Sequence, residues 1–302
     1  MRKATSFAPG HISGFFQICD DVSEPERKGS RNCGPCINTG VLTEVSAEPS
    51  GRTNLEVFIN GKKTSEAQTT VAVVRQMLHM IPGPAEVIVK HSVGVPIGAG
   101  YGVSGAWALG TALAFSKTLD LDLTRSKLIE VAHVAEVSCG TGLGDIGPQA
   151  IGGLVIGLEP GAPPYGKWRQ IPVPRDMKIV CATLSPLPTK KLLKDAELRD
   201  RSMKFGGLAL ESLLKSPTPK DFIRVSYEFS EALGLLDDEL RTLIRTAKSA
   251  GAIGASMVML GKAVFALVKA SEFERVKHAL LELVGPDAIL AVDFDLAGAR
   301  LV

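Results

Sequence analysis

The sequence predicts an α+β protein with two domains, and three observations lead to this prediction. Strand-like and helix-like segments are mixed along the chain without a regular β–α alternation. The 302 residues exceed what one small core needs, and 45% of them are apolar against 22% charged, a balance typical of a globular protein. Turn-forming residues at 161–166 (GAPPYG) mark the expected boundary, so we expect domains at 1–160 and 161–302.

Strands, helices and one hairpin are expected in the first half. A strand-like segment at 4–19 is broken at 8–11, and the polar residues 20–36 are expected to form a long loop. Asn60-Gly61 is a strong hairpin-turn signal, and Thr124 is the expected N-cap of a helix. The predicted strands are 41–46, 55–59 and 85–91, with a further strand after Gly152-Gly153, and the predicted helices are 67–80, 104–117 and 124–136.

The second half is predicted to open with a strand at 178–184 and to continue mainly with helices. A stretch rich in glycine and small residues interrupts it at 249–261, and a last strand is expected at 288–293. The predicted helices are 189–196, 199–214, 219–235, 237–249, 262–269 and 272–283.

Charge and composition exclude several classes of partner. The net charge of +2 provides no electrostatic basis for binding nucleic acid. The uncharged segment 92–115 contains six glycines and would make a poor membrane-spanning helix, so a buried loop leading into a buried helix is expected. The first ten residues lack the apolar run of a signal peptide, and five cysteines form an odd set. We therefore expect a cytoplasmic protein with reduced thiols and no membrane partner.

Cys33 and Cys36 copy the spacing of the Cys-x-x-Cys redox motif. That motif works when the first thiolate lies at the start of a helix, whereas a predicted strand follows here. A zinc site would need two further ligands at suitable spacing, and the remaining cysteines stand alone. We interpret the pair as loop cysteines without redox or metal function.

A glycine-rich loop between a predicted strand and a predicted helix is the main candidate binding site. Triphosphate oxygens need many donors at short range, and backbone N–H groups supply them where no side chain blocks the approach. The following helix presents its positive end to the anion, and a Gly-Lys-Ser/Thr ending is missing, so the loop differs from the Walker pattern. A tight structural turn is the alternative. The candidate residues are Pro96, Gly98, Gly100, Gly102, Ser104 and Ala106.

Glu136 and Asp145 form a second candidate group, joined by a glycine-rich connection. Phosphoryl transfer needs a carboxylate for magnesium and uses another near the acceptor hydroxyl. His133 precedes Glu136 by three residues and is expected on the same helix face, as a candidate catalytic residue. The alternative is that Glu136 is a solvated helix residue and Asp145 a turn former.

Three motifs in order along the chain resemble the GHMP kinase superfamily: Ala8-Pro9-Gly10, the loop 96–106, and the small-residue stretch 251–261. Within that superfamily, the segments 4–16, 27–31, 144–153 and 298–300 are similar to the archaeal enzymes that phosphorylate pantoate with ATP on the route to coenzyme A. The resemblance implies an N-terminal domain like ribosomal protein S5 domain 2, a ferredoxin-like C-terminal domain, and an active site between them.

The resemblance also implies roles for single residues. It implies ATP and Mg²⁺ as cofactors, with the nucleotide held by the glycine loop and the metal by Glu136 and Ser104. Asp145 matches the catalytic aspartate near the acceptor hydroxyl. The residues expected on the side of the small-molecule substrate, pantoate, are Ser30, Arg31 and Thr189.

The chain departs from the superfamily pattern at three places. His11 stands where many members have Lys or Arg, and Val103 replaces a serine of the glycine loop. Gly157 and Glu159 lie where a basic residue for the substrate carboxylate is expected. Arg27, Arg31 and His133 are the alternatives for that carboxylate. Two alternative functions stay open: a kinase for a different small alcohol, such as homoserine or an isoprenoid precursor, and an inactive nucleotide-binding relative. A homodimer also stays open.

Overall fold

The computed structural model of the protein describes residues 1–187 and 195–302. Strands in these two ranges form a nine-stranded and a four-stranded sheet. The strands are β1 Arg2–His11, β2 Phe15–Cys19, β3 Gly29–Pro49, β4 Asn54–Ile59, β5 Lys62–Lys63, β6 Ala85–Val93, β7 Leu154–Glu159, β8 Lys167–Ile171, β9 Met177–Ser185, β10 Gly254–Met257, β11 Lys262–Lys269, β12 Ile289–Val292 and β13 Arg300–Leu301.

The larger sheet is built around β3, a strand of 21 residues. Its second half lies between β1 and β6 in the order β13-β1-β3-β6-β4-β5, and its first half lies between β2 and β7, with β8 beyond β7. The expectation of a loop over 20–36 is therefore wrong from Gly29 onward. The glycines and proline of this segment looked like turn formers, but both edges of the strand are paired, which outweighs local preference. Cys33 and Cys36 are consequently buried strand residues, not loop cysteines.

The remaining strand predictions of the first half are close to the structure. The break expected at 8–11 is misplaced: residues 8–11 stay in β1, which has only a register shift between Pro9 and Gly10, and the interruption before β2 lies at 12–14. Asn60 and Gly61 both have positive φ, as a two-residue hairpin turn between β4 and β5 requires. β8 was missed, because Lys167–Ile171 is a mainly exposed edge strand with no apolar alternation.

Four helices accompany the larger sheet: α1 Gln68–Leu78, α2 Val103–Thr118, α3 Arg125–Cys139 and α4 Ile146–Ile151. Nearly every residue of α2 is buried, because this helix packs on β1 and β3 with α1 and α3 beside it. Thr124 caps α3 by accepting a hydrogen bond from the backbone N–H of Lys127, as predicted. Among the helices in the described ranges, none has the length and apolar character needed to cross a membrane.

The smaller sheet is antiparallel with the order β10-β11-β9-β12. The helices of the second half are α5 Ala196–Lys215, α6 Pro219–Leu233, α7 Asp238–Ser249 and α8 Phe273–Val284, and of these α6, α7 and α8 pack on this sheet. The helix expected at 262–269 is the central strand β11. Six of its eight residues are buried, and an apolar run this short fits a strand covered on both faces as well as a helix.

Several contacts join the two sheets around the loop between β6 and α2. The Tyr101 hydroxyl lies 2.7 Å from Thr183 Oγ1 of β9, and the Leu187 N–H donates to the Gly98 carbonyl at 3.0 Å. The helix α5 packs against β2 of the larger sheet, and β13 returns the end of the chain to β1. The glycine loop is therefore held from both sides.

Candidate active site

A cavity of about 510 Å³ lies where the two sheets meet. It is bordered by β2, the start of β3, the glycine loop with the first turn of α2, the loop before α4, and the loop between β10 and β11. Asp145 is the one charged residue among the described residues that line it. The lining residues are Ser13, Phe16, Ser30, Asn32, Ile97, Gly98, Gly100–Ser104, Trp107, Thr141–Asp145, Met259 and Leu260.

The glycine loop adopts a backbone that side chains would prevent. Gly98, Gly100 and Gly102 have φ of +76°, +86° and +65°, a region that favours glycine. A Cβ on Gly100 would lie 2.6 Å from the Met259 carbonyl oxygen, so the loop also packs tightly on the segment after β10. Gly102 is the N-cap residue of α2, and no side chain caps this end of the helix. The backbone of the first turn of α2 therefore borders the cavity. Backbone N–H groups at a helix N-terminus placed in this way bind phosphate in other proteins.

Not every predicted loop residue reaches the cavity. Gly98, Gly100, Gly102 and Ser104 line it, whereas Pro96 and Ala106 do not. Ala106 is fully buried in α2. The predicted nucleotide contacts by these two residues stay predictions.

Glu136, on α3, is fully buried beside the first turn of α2. Ser104 Oγ donates to its Oε1 at 3.1 Å, while Oε2 is buried without a hydrogen-bond partner among the described residues. Burial first, and the nearby Asp145 charge second, raise the pKa of Glu136 to about 8, although the Ser104 hydrogen bond opposes this. An unpartnered carboxylate oxygen next to a hydroxyl is a donor set that suits Mg²⁺, so Glu136 and Ser104 fit the predicted metal role.

Asp145 immediately precedes α4 and is partly exposed to the cavity. Its Oδ1 lies 2.7 Å from Nδ1 of His11, a fully buried side chain at the end of β1. Its Oδ2 lies 3.4 Å from the point where a Cβ on Gly102 would be, so this oxygen faces the glycine loop. The two carboxyl oxygens therefore have different surroundings, one held by the histidine and one directed at the expected phosphates.

Two glycine positions allow both acids to approach the loop. A Cβ on Gly105 would lie 3.1 Å from Glu136 Oε1 and 3.2 Å from Asp145 Cβ. A Cβ on Gly142 would lie 2.6 Å from Glu136 Oε1. Ser104, Glu136 and Asp145, which were predicted from the sequence, are thus brought together. This is possible because Gly105 and Gly142 have no side chains.

Ser30 and Asn32 form the wall of the cavity next to the loop that carries Asp145. Side chains alternate along β3, so Ser30 and Asn32 line the cavity while Arg31 lies on the other face, 3.6 Å from Glu159. Asn32 Nδ2 donates to the Gly144 carbonyl at 3.0 Å. A Cβ on Gly144 would be 2.1 Å from Ser30 Oγ, so the loop that carries Asp145 rests directly on this wall.

His133 and Arg27 lie outside the cavity lining. His133 is buried, and its Nε2 lies 2.8 Å from the Lys28 carbonyl oxygen, which fixes the segment before β3. Burial lowers the pKa of His133 despite this hydrogen bond. Arg27 lies over the Tyr165 ring at 5.6 Å. Neither position supports the predicted catalytic or carboxylate-binding role. Thr189 lies outside the described residues.

Three polar residues of the site were missed as functional candidates. Gln149 Nε2 donates to the carbonyls of Pro9 and Gly102, at 3.0 and 2.8 Å, and so ties β1 to the start of α2. Asn32 and His11 are the other two. The Ala-Pro-Gly motif that precedes His11 was the signal for that residue, whereas Gln149 and Asn32 act through distant backbone groups that no local pattern identifies.

Comparison with known proteins identifies the family. A family model described as the GHMP kinases N-terminal domain matches residues 67–153, and one described as GHMP kinases C terminal matches 210–285. The pantoate kinase of Methanocaldococcus jannaschii is 32% identical over 268 residues, which cover 89% of this chain and 94% of that protein. The chain belongs to the GHMP kinase superfamily.

Two further similarities extend over nearly the whole GHMP kinase chain. The pantoate kinase of Thermococcus kodakarensis is 33% identical over 283 residues, covering 92% of each chain. A solved structure described as a phosphotransferase related to the CoA biosynthesis pathway superposes with a TM-score of 0.90 at 30% identity, covering 99% of this chain and 98% of that one. The two-domain GHMP kinase fold is therefore shown for this chain.

Proposed function

We propose that this GHMP kinase is a pantoate kinase, which transfers the γ-phosphoryl group of ATP to the 4-hydroxyl of (R)-pantoate and yields 4-phosphopantoate for coenzyme A biosynthesis. The observation that carries the proposal is the meeting of Asp145 with the glycine loop in one cavity. The similarity to archaeal pantoate kinases over about 90% of the chain supports the choice of acceptor.

The glycine loop binds the phosphates of ATP through backbone N–H groups at the start of α2. Glu136 and Ser104 would hold Mg²⁺, which would supply charge neutralisation for the phosphate oxygens. Ionised Glu136 is costly to bury without a partner, so a bound cation would stabilise the charged form of this carboxyl.

Asp145 orients the 4-hydroxyl for in-line attack and accepts its proton on Oδ2. The hydroxyl oxygen then forms a bond to the γ-phosphorus as the bond to the β-phosphate oxygen breaks, and ADP leaves. Holding both reactants in this geometry contributes ~7–11 kcal/mol to lowering the barrier.

Pantoate occupies the part of the cavity between Asp145 and the wall formed by Ser30 and Asn32. Phe16 and Leu143 add apolar surface to the lining, which suits the two methyl groups on C3 of pantoate. No Lys or Arg is found among the described residues that line the cavity, so hydroxyl and amide donors such as Ser30 and Asn32 bind the carboxylate.

An ADP-release assay with matched acceptors tests this function. (R)-Pantoate, L-homoserine and mevalonate are compared at equal concentration with ATP and Mg²⁺, and the phosphorylated product is identified by mass. We expect kcat/KM for pantoate to exceed that for the other acceptors by ~10²-fold or more, since differences in apolar fit alone provide about 10–200-fold discrimination. A higher value for another acceptor contradicts the pantoate assignment, and ADP release with none of them indicates a binding protein without transferase activity.

A further inference from the structure

The contact between His11 and Asp145 goes beyond what the proposed phosphoryl transfer needs by itself. The transfer requires one carboxylate near the acceptor, and Asp145 supplies it. His11 is fully buried, and its Nδ1 lies 2.7 Å from Asp145 Oδ1. A carboxylate oxygen only accepts hydrogen bonds, so the hydrogen is on Nδ1 of the ring.

The surroundings of His11 hold the ring in one position. Its backbone N–H donates to the Tyr101 carbonyl at 3.0 Å, which connects the residue to the glycine loop. A Cβ on Gly34 would lie 3.0 Å from His11 Nε2 and 1.7 Å from the Ile12 carbonyl oxygen, so only glycine fits behind the ring. Among the described residues, Nε2 has no hydrogen-bond partner. The interaction with Asp145 is therefore the one polar contact of this side chain there.

Asp145, in contrast, depends on an outside contact for its orientation. Its side chain keeps about a quarter of its surface exposed to the cavity, and it makes no capping hydrogen bond to α4. Holding Oδ1 leaves Oδ2 directed at the glycine loop. Among the described residues, no other hydrogen bond fixes the orientation of this carboxylate.

We propose that His11 is a positioning residue for the phosphoryl transfer: by donating from Nδ1 to Asp145 Oδ1, it directs Oδ2 toward the hydroxyl of the acceptor. This inference rests on the proposed function, because it assigns the orientation of the same carboxylate. The essential property is a neutral or charged N–H donor at the position of Nδ1, not the bulk of the ring.

Asparagine and glutamine replacements separate donor position from side-chain size. The amide nitrogen of Asn lies as many bonds from Cα as Nδ1 of His, whereas that of Gln lies one bond further. We expect His11→Ala and His11→Gln to lower kcat ~10²-fold, the effect of misplacing a catalytic group by about 1 Å. His11→Asn should stay within about fivefold of wild type, and KM for ATP should change less than about threefold in all three variants, as expected when only transition-state geometry is altered.

Thr118→Val is the matched control for lost stability. Thr118 is buried in α2 and donates to Val45 and Ala114 carbonyls far from the cavity lining, so its loss lowers stability without touching Asp145. Wild-type kcat in His11→Ala overturns the inference. The inference is also overturned if the folded Asn variant is as slow as the Ala variant. It is overturned as well if the substitutions change only KM for ATP and leave kcat unchanged.

The buried N–H proton of His11 gives a readout that does not depend on the acceptor. In a ¹H–¹⁵N spectrum of the imidazole groups we expect a hydrogen-bonded Nδ1–H signal that is absent in His11→Ala and shifts in Asp145→Asn. If wild type phosphorylates none of the acceptors, the proposed function fails. A shift of the Nδ1–H signal in Asp145→Asn then still supports the hydrogen bond between His11 and Asp145. A signal that does not shift on this substitution overturns it.

Discussion

Glu136 makes the stability of the metal-free protein depend on pH, and Glu136→Gln should remove that dependence. In the folded protein the pKa of this carboxyl rises from 4.5 to about 8, mainly because it is fully buried. Between these two pH values the folded state binds more protons than the unfolded state, so the free energy of unfolding falls as pH rises. One pKa unit corresponds to ~1.4 kcal/mol, so the total loss is on the order of 5 kcal/mol.

Urea denaturation in the presence of EDTA measures this effect. Below pH 5 wild type and Glu136→Gln should be similar, since a neutral acid and a neutral amide of equal size then occupy the site. Toward pH 8 the Gln variant should become more stable by several kcal/mol, and the difference should stay constant at higher pH. Glu130→Gln is the control, because Glu130 is a partly exposed residue of the same helix, paired with Lys127, and its effect should stay within about 1 kcal/mol throughout.

Magnesium supplies the second arm of the same experiment. Mg²⁺ with a non-hydrolysable ATP analogue should raise the Tm of wild type at pH 8 more than that of Glu136→Gln, because binding to the folded state stabilises it and the amide offers no charge. Parallel pH curves for wild type and Glu136→Gln, or equal stabilisation by magnesium, would refute the proposed role of Glu136.

Three further predictions follow from the site and its supports. Asp145→Asn should lower kcat by at least ~10²-fold while the ATP dissociation constant changes little, as turnover and calorimetric titration can measure. Tyr101→Phe removes the hydrogen bond to Thr183 and should lower the free energy of unfolding by about 1 kcal/mol in urea titrations. An unchanged free energy of unfolding would contradict a stabilising role for this contact between the two sheets. Cys33 and Cys36 should react with a thiol reagent only after denaturation, since both are fully buried and burial raises their thiol pKa well above the usual value; rapid native labelling of either would contradict this.

The elements that carry the candidate site were the most predictable part of the fold. The glycine loop, α2 and α3 were placed within a few residues, because glycine spacing, helical periodicity and the cap at Thr124 all agree there. Glu136 and Asp145 come together because Glu136 lies beside the first turn of α2 and the connection from α3 to α4 brings Asp145 back to the same turn. Both acids could be proposed from the sequence since they border the loop on which the chemistry depends.

Predictions failed where contacts distant in sequence decide the structure. The strand β11 has an apolar run that suits a helix equally well, and only its place between β9 and β10 selects the strand. The domain boundary after residue 160 stays a prediction, and β8, which follows it, pairs with β7 of the larger sheet. Contacts of Asn32 and Gln149 with backbone carbonyls depend in the same way on pairing that no local pattern contains.

The segment Cys33-Gly34-Pro35-Cys36 shows why a short motif can mislead. Its composition is that of a redox turn, yet in the fold it is the part of β3 that passes directly behind the end of β1. Gly34 is required because the Ile12 carbonyl and the His11 ring occupy the space of a side chain, and the Pro35 carbonyl accepts from the Ile12 N–H. Substituting Gly34 would therefore displace the Ile12 backbone and the His11 ring. Cys33 packs in the apolar core, and Cys36 donates from Sγ to the Pro148 carbonyl at 3.2 Å, so both thiols are occupied inside the fold and neither faces solvent.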